Sequence, residues 1–281
     1  MTWARADIIL AVPSPLLPET SPGRGPIGVF DSGVGGLAVL RALREALPGA
    51  ERIYVADSAH APYGEREAEF IQARSEHIAR FLLARGAGAL LIACNTATVV
   101  AANALRRWCP VPVVAMEPAI KPAAARTRSG RIAVLATRQT VASGNVARLV
   151  AAHGARCTIE LIACPGLVEC VERGEVSASS TRGLVETYLR PALERGADCV
   201  VLGCTHYSFL RPLIEDLAGA QVQVLDPAPA VVTELLRRIG AAAEADSQPL
   251  GGERFYTSAP QETAAPLISM LWGKKVAVES L

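Results

Sequence analysis

Leu90-Leu91-Ile92-Ala93-Cys94-Asn95-Thr96-Ala97-Thr98 decides how the rest of the chain is read. Its apolar run predicts a short buried strand that stops at a cysteine followed by small and polar residues. In parallel α/β sheets, ligands gather at the carboxyl ends of strands. Cys94 is therefore placed at a strand tip, with Asn95 and Thr96 beside it and a helix from about Thr98 to Trp108. Cys199-Val200-Val201-Leu202-Gly203-Cys204-Thr205-His206-Tyr207 repeats the arrangement. Two strands ending in cysteine predict two thiols facing one pocket.

Outward from these tips the pattern recurs. Ile27 to Phe30 reads as a buried strand, followed by Asp31-Ser32-Gly33-Val34-Gly35-Gly36 and a helix from Leu37 to Leu47. The glycines spell neither GxGxxG nor GK[ST], so a nucleotide-phosphate loop is not indicated. They instead let the backbone approach a small ligand, with Asp31 and Ser32 facing it; Asp31 taken alone could simply cap the helix. Arg52 to Ala56 is the next strand, ending at Asp57-Ser58. The loop Ala61-Pro62-Tyr63-Gly64 leads into a helix from about Glu65 to Arg85, and Val113 to Met116 closes this half as a strand.

The second half restarts with Ile132 to Ala136, ending at Thr137, then one helix from about Gln139 to His153. Thr158 to Ala163 ends at Cys164-Pro165-Gly166, a helix covers Ser180 to Arg195, and Val222 to Leu225 ends at Asp226. Asp31 to Cys94 spans 63 residues and Thr137 to Cys204 spans 67, which predicts an internal repeat of one α/β unit. A helix from Pro229 to Ile239, a soft linker from Ala241 to Gly252, a strand from Arg254 to Thr257 and a helix from Ala264 to Trp272 complete the chain. Helices between nearly all strands make parallel sheets the economical choice. The expected fold is α/β, with two pseudo-symmetric units whose strand tips face each other across a cleft.

Bulk composition narrows the function. With 28 basic and 27 acidic residues the net charge is +1, and aromatics make up 5%, so nothing points to nucleic acid or a charged membrane surface. Seven cysteines without a CxxC pair favour neither a disulfide framework nor a zinc site. Reduced thiols in a cytoplasmic protein fit better. Cys109, Cys157, Cys170 and Cys199 read as small core hydrophobes, with Cys164 less clear. No segment reaches a membrane span, and Pro13, Pro15 and Pro18 interrupt the apolar Ile8 to Val12. Residues 1–25 read as a loosely ordered extension.

Two thiols on opposite sides of one substrate suit inversion at a carbon centre. One thiolate takes a proton from one face while the other thiol returns one to the opposite face. Asp31 is a candidate partner for Cys94, and His206 for Cys204. Ser32, Asn95, Thr96, Thr137 and Thr205, with backbone N–H groups at the tips, supply neutral hydrogen bonds for an amino acid's carboxylates. A single cysteine with a histidine could instead be an acyl-transfer nucleophile; the second cysteine at the matching tip is what favours proton transfer.

Asp31-Ser32-Gly33-Val34-Gly35-Gly36-Leu37, Pro62-Tyr63-Gly64, Cys94-Asn95-Thr96-Ala97, Glu117-Pro118-Ala119-Ile120-Lys121-Pro122 and Gly203-Cys204-Thr205-His206-Tyr207 together resemble the glutamate racemases. The resemblance runs from about Ile27 to the last helix. It implies a cofactor-independent, metal-independent interconversion of L- and D-glutamate that supplies D-glutamate for peptidoglycan. It implies Cys94 and Cys204 as the acid/bases, Asp31 assisting the first, His206 the second, and Glu172 as a further catalytic residue. Substrate contacts would fall on Asp31, Ser32, Tyr63, Gly64, Asn95, Thr96, Thr205 and His206. A homodimer is expected, with residues 26–118 and 229–281 forming one domain and 119–228 the other. Glu169 stands where the family commonly has proline, and Ser208-Phe209 and Asp226-Pro227 also depart from its pattern. These departures leave both thiols in place and keep open a related two-thiol enzyme acting on aspartate or another small acid. A binding protein that keeps the pocket without turnover is the alternative of a different class.

Overall fold

The computed structural model describes residues 25–240 and 251–281. The expected N-terminal extension before Gly25, and the linker up to residue 250, lie outside the described residues.

The first sheet grows from short, fully buried apolar runs. Ile27–Asp31 (β1) leads through the glycine turn to Leu37–Ala46 (α1), then Arg52–Ala56 (β2) and Ala68–Ala84 (α2). Ala89–Ile92 (β3), Asn95–Trp108 (α3) and Val113–Ala115 (β4) follow, and Ile120–Arg126 (α4) crosses to the second sheet. There Arg131–Ala136 (β5) is followed by two helices, Arg138–Val141 (α5) and Gly144–His153 (α6). Thr158–Ala163 (β6), Leu167–Glu172 (α7), Ser179–Glu194 (α8), Cys199–Leu202 (β7), Arg211–Ala218 (α9) and Gln223–Leu225 (β8) complete that unit. Ala228–Ile239 (α10), Glu253–Thr257 (β9), Gln261–Trp272 (α11) and Val278–Ser280 (β10) return to the first sheet.

The strand orders are β10-β9-β2-β1-β3-β4 and β6-β5-β7-β8, and every pairing is parallel. The second order repeats the β2-β1-β3-β4 portion of the first, so β3 and β7 occupy equivalent positions. Parallel strands need both faces covered. Alternate side chains accordingly feed different cores. Phe30, Ile53, Val55, Leu90 and Ile92 form one core of the first sheet, while Ile132, Val134, Cys199 and Val201 form one core of the second. The opposite faces, with Val29, Tyr54 and Leu91 from one sheet and Leu135, Val200 and Leu202 from the other, belong to a single continuous core. That shared core joins the halves and sets their tips against each other.

Local chemistry moved several expected boundaries. Helix α3 begins at Asn95 because the Cys94 sulfur accepts from the Ala97 N–H, making a cysteine the N-cap. The single helix expected over 139–153 is two, since Ser143 accepts from the Val146 N–H and starts a new one. Helices α4, α7 and α9 and strand β10 were not expected. Pro212 masks α9, although proline is tolerated in a first helical turn. Strand β10 has only three residues and a single buried apolar side chain.

Candidate active site

Cys94 follows β3 and Cys204 follows β7, so equivalent strands deliver both thiols. Both are buried, and charge on Cys204 is near enough to raise the pKa of Cys94. Their surroundings differ. Cys94 accepts from the Ala97 N–H at 3.4 Å, in the first turn of α3, and contacts the Ser32 hydroxyl at 3.5 Å. Burial pushes the Cys94 thiol up to about 12, and the nearby Asp31 charge adds to this, while Ser32 and the Ala97 N–H oppose it. A helix N-terminus favours a thiolate, but here desolvation wins.

Cys204 instead faces a histidine. His206 Nδ1 lies 3.8 Å from its sulfur, and Nε2 lies 2.6 Å from Glu172 Oε1. Burial disfavours the imidazolium, yet the bonds and charges of Cys204 and Glu172 outweigh it and hold the His206 pKa well above its ordinary value. The raised pKa favours the protonated ring, whose Nδ1 faces the second thiol.

The glycine turn locks the halves together. Asp31 accepts from the Gly33 N–H through Oδ1 at 2.9 Å and from the Thr205 hydroxyl through Oδ2 at 2.9 Å. Burial raises its pKa, against the opposing His206 charge and these donors. The Val34 N–H donates to Glu172 Oε1 at 2.8 Å, and Tyr54 donates to the Gly33 carbonyl at 2.7 Å. A Cβ on Gly35 would stand 2.5 Å from both His206 Nδ1 and Thr205 Oγ1. The turn is glycine-rich because the opposing tip leaves no space for side chains.

On the far side of the cleft the Thr96 and Thr137 hydroxyls are 3.0 Å apart, and Thr140 bonds to both. Gly64 packs on Thr137, where an added Cβ would stand 2.7 Å from the threonine Cβ. Asn95 is buried, its Nδ2 on Met116 Sδ at 3.3 Å and its Oδ1 without a partner, one acceptor available to a ligand. Tyr63 donates its hydroxyl to Asp57 at 2.5 Å.

The structure thus brings Cys94, Ser32, Asp31, Thr205, Cys204, His206 and Glu172 into one network, and Gly64, Thr96 and Thr137 into another contact. Asp31 reaches Cys94 only through Ser32, whose hydroxyl lies 3.4 Å from Asp31 Oδ1. Glu169 does not join the network; it lines a small open pocket with Pro62, Gly64, Thr137, Arg138 and Cys164. Tyr54, Thr140 and the Asp57–Arg74 pair were not singled out as site residues. Asp57 could have been, since it ends a strand as Asp31 does. Among the described residues no group of three or more His, Cys, Asp or Glu is placed to hold a metal ion, and no helix is long and apolar enough to cross a membrane.

The family model described as Asp/Glu/Hydantoin racemase matches residues 27–235, the span that carries both thiol-bearing tips. The chain belongs to this racemase family. It is an amino-acid racemase by that membership. It is 49% identical to the glutamate racemase of Pseudomonas paraeruginosa over 257 residues, 91% of this chain and 97% of that relative. Among solved structures, it resembles glutamate racemase isoform RacE1 from Bacillus anthracis with a TM-score of 0.84 at 27% identity, covering 92% of this chain and 98% of that one. It also resembles Escherichia coli glutamate racemase, solved with L-glutamate and the activator UDP-MurNAc-ala, with a TM-score of 0.80 at 30% identity and coverage of 92% and 98%. Within this racemase family the expected α/β architecture of parallel sheets flanked by helices is therefore the observed one.

Proposed function

We propose that this chain interconverts L- and D-glutamate by proton transfer at the α-carbon between two cysteines. The observation that carries the reading is the placement of Cys94 and Cys204 at equivalent strand ends, each with its own proton-handling neighbours. One sulfur, as thiolate, removes the α-proton from one face. The other, as thiol, donates its proton to the opposite face of the planar carbanion, and the two sulfurs exchange roles in the reverse direction. The His206 imidazolium, braced by Glu172, supports negative charge on Cys204. Among the described residues Cys94 has no such cation, so the substrate's α-ammonium, seated near Asp31, supplies the charge that offsets burial there.

Neutral donors suit the substrate's carboxylates. Asn95 and Thr96 open helix α3, where backbone N–H groups lack intrahelical partners and attract anions. The Thr96 and Thr137 hydroxyls, with Ser32 and the Tyr63-Gly64 backbone, complete that binding surface, while the unpartnered Asn95 Oδ1 is an acceptor suited to the ammonium and Thr205, which donates to Asp31, holds that carboxylate in place. The same reading gives a homodimeric cytoplasmic enzyme that supplies D-glutamate for peptidoglycan. Its two domains are residues 26–118 with 229–281, and 119–228.

Incubation with L-glutamate in D₂O, without added cofactor, tests it. Loss of the Cα–H signal together with loss of optical rotation is expected. Cys94→Ala and Cys204→Ala should each abolish racemization while retaining the wild-type circular dichroism. Full activity in either variant would sink the two-base mechanism, and turnover of aspartate alone would move the substrate assignment.

A further inference from the structure

One buried ion pair is not used by this mechanism. Asp57 follows β2, is fully buried, and is tied to the site's first tip by its N–H, which donates to the Asp31 carbonyl at 3.0 Å. Arg74, on α2, grips its carboxylate with two donors, Nε to Oδ2 at 2.9 Å and Nη2 to Oδ1 at 2.7 Å. Tyr63 donates its hydroxyl to the same Oδ2 at 2.5 Å. Burial raises the Asp57 pKa, but Arg74, Tyr63 and Ser258 outweigh it, so the carboxyl stays ionised.

A buried carboxylate costs stability unless every oxygen is satisfied. Its position, between a strand tip and a loop, suggests what that cost secures. Tyr63 starts a single three-residue turn, Tyr63–Glu65, without a side-chain cap. Its next residue, Gly64, is the one that packs on Thr137 across the cleft, and the Arg66 carbonyl accepts from Gln139 at 2.9 Å. The placement of Gly64 therefore depends on where Tyr63 is held: its ring packs in the core of the first sheet, and its hydroxyl bond to Asp57 fixes the ring's outer end.

We infer that Asp57 and Arg74 are positioning residues for the reaction, acting through Tyr63 to fix the cleft wall that Gly64 presents against Thr137. This rests on the racemization reading. The planar guanidinium matters because its fork sets the carboxylate plane, which aims the one lone pair that receives the tyrosine proton. Tyr63 is then a tether, its hydroxyl proton committed to Asp57, and takes no part in moving the substrate's proton.

The test is steady-state kinetics on Tyr63→Phe, Arg74→Gln, Arg74→Lys and the charge-free pair Asp57→Asn/Arg74→Gln, each with its melting temperature. The last variant removes both charges together, so it keeps the question answerable where Arg74→Gln alone does not fold. Loss of substrate positioning should raise KM about tenfold, with kcat within about threefold of wild type and an unchanged pH profile of kcat. Arg74→Lys should recover part of the loss, and Tyr63→Phe should add little to Asp57→Asn/Arg74→Gln, because without the guanidinium fork the amide no longer holds an oxygen toward the tyrosine and the same tether is lost in each. A lowered melting temperature with wild-type KM would reduce the pair to a structural role and overturn the inference. A kcat loss with a shifted pH profile in Tyr63→Phe would make the tyrosine an acid/base and overturn it as well. Wild type run in parallel separates the failures: if it does not exchange the α-proton of glutamate, the racemization reading falls and the inference falls with it.

Discussion

Glu172→Gln isolates one half of the site without emptying it. Glu172 Oε1 accepts from the Val34 N–H and faces His206 Nε2 at 2.6 Å. The amide oxygen of glutamine can keep both contacts, so the side chain's place between the halves is preserved and only the charge is lost. A hydrogen bond to an ionised group contributes roughly 1.5–3 kcal/mol against about 0.5–1.5 for a neutral one. The imidazolium therefore loses about 1–1.5 kcal/mol of support, which corresponds to about a tenfold slower proton transfer at Cys204. The two enantiomers have equal free energy, so kcat/KM must fall equally in both directions and cannot show which thiol was affected. Isotope effects can. With α-deuterated substrate, the enantiomer deprotonated by Cys204 should show a larger primary effect than in wild type, because breaking its C–D bond is now the slow step. The mirror-image substrate should show a smaller one, with a larger solvent effect, because its slow step is proton delivery from Cys204. Equal substrate isotope effects from both enantiomers, with the tenfold loss present, would refute the assignment of His206 and Glu172 to Cys204. Unchanged kcat/KM would refute any role for the charge.

Gly35→Ala should lose more than about a hundredfold in kcat/KM while the far-ultraviolet spectrum is retained, since the new Cβ meets His206 Nδ1 and Thr205 Oγ1 at 2.5 Å and a misplaced catalytic group costs on that order; activity within threefold of wild type would show that the tips have slack. The Cys164 thiol, pushed up to about 12 from 9.0 by burial, supplies a stability test with a definite sign. The folded chain holds that proton more tightly than the unfolded chain, so the contribution is complete below pH 9.0, declines above it and is gone by about pH 12. At pH 10 the loss is about 1.4 kcal/mol, and Cys164→Ala should therefore show a shallower alkaline decline of Tm than wild type. Identical slopes would contradict it.

What the sequence disclosed and what it withheld divide along a physical line. Features with a local cause were legible. Leu90 to Ile92 and Cys199 to Leu202 are short apolar runs bounded by polar residues, and such runs become buried strands whatever lies around them. Their tips follow from strand direction in a parallel sheet, which is why both thiols could be named in advance. Residues whose role depends on what packs against them were not legible in the same way. Asp31 taken alone could simply have capped the following helix, and the second oxygen of its carboxylate is decided by Thr205, far away in the chain. Cysteine is not a favoured cap, so nothing in the sequence started α3 at Asn95; burial of the Cys94 sulfur against the Ala97 N–H does. The asymmetry between the thiols has the same origin. Both follow a buried parallel strand and both have hydroxyl neighbours, but only Cys204 has a histidine two residues on, and Cys204 together with Glu172, which α7 carries to the ring's other nitrogen, raises that histidine's pKa. Helix α7 has six residues and was not anticipated. Its consequence is chemical nonetheless: Cys204 stands beside a histidine braced by Glu172, whereas Cys94 has the Ala97 N–H and the Ser32 hydroxyl.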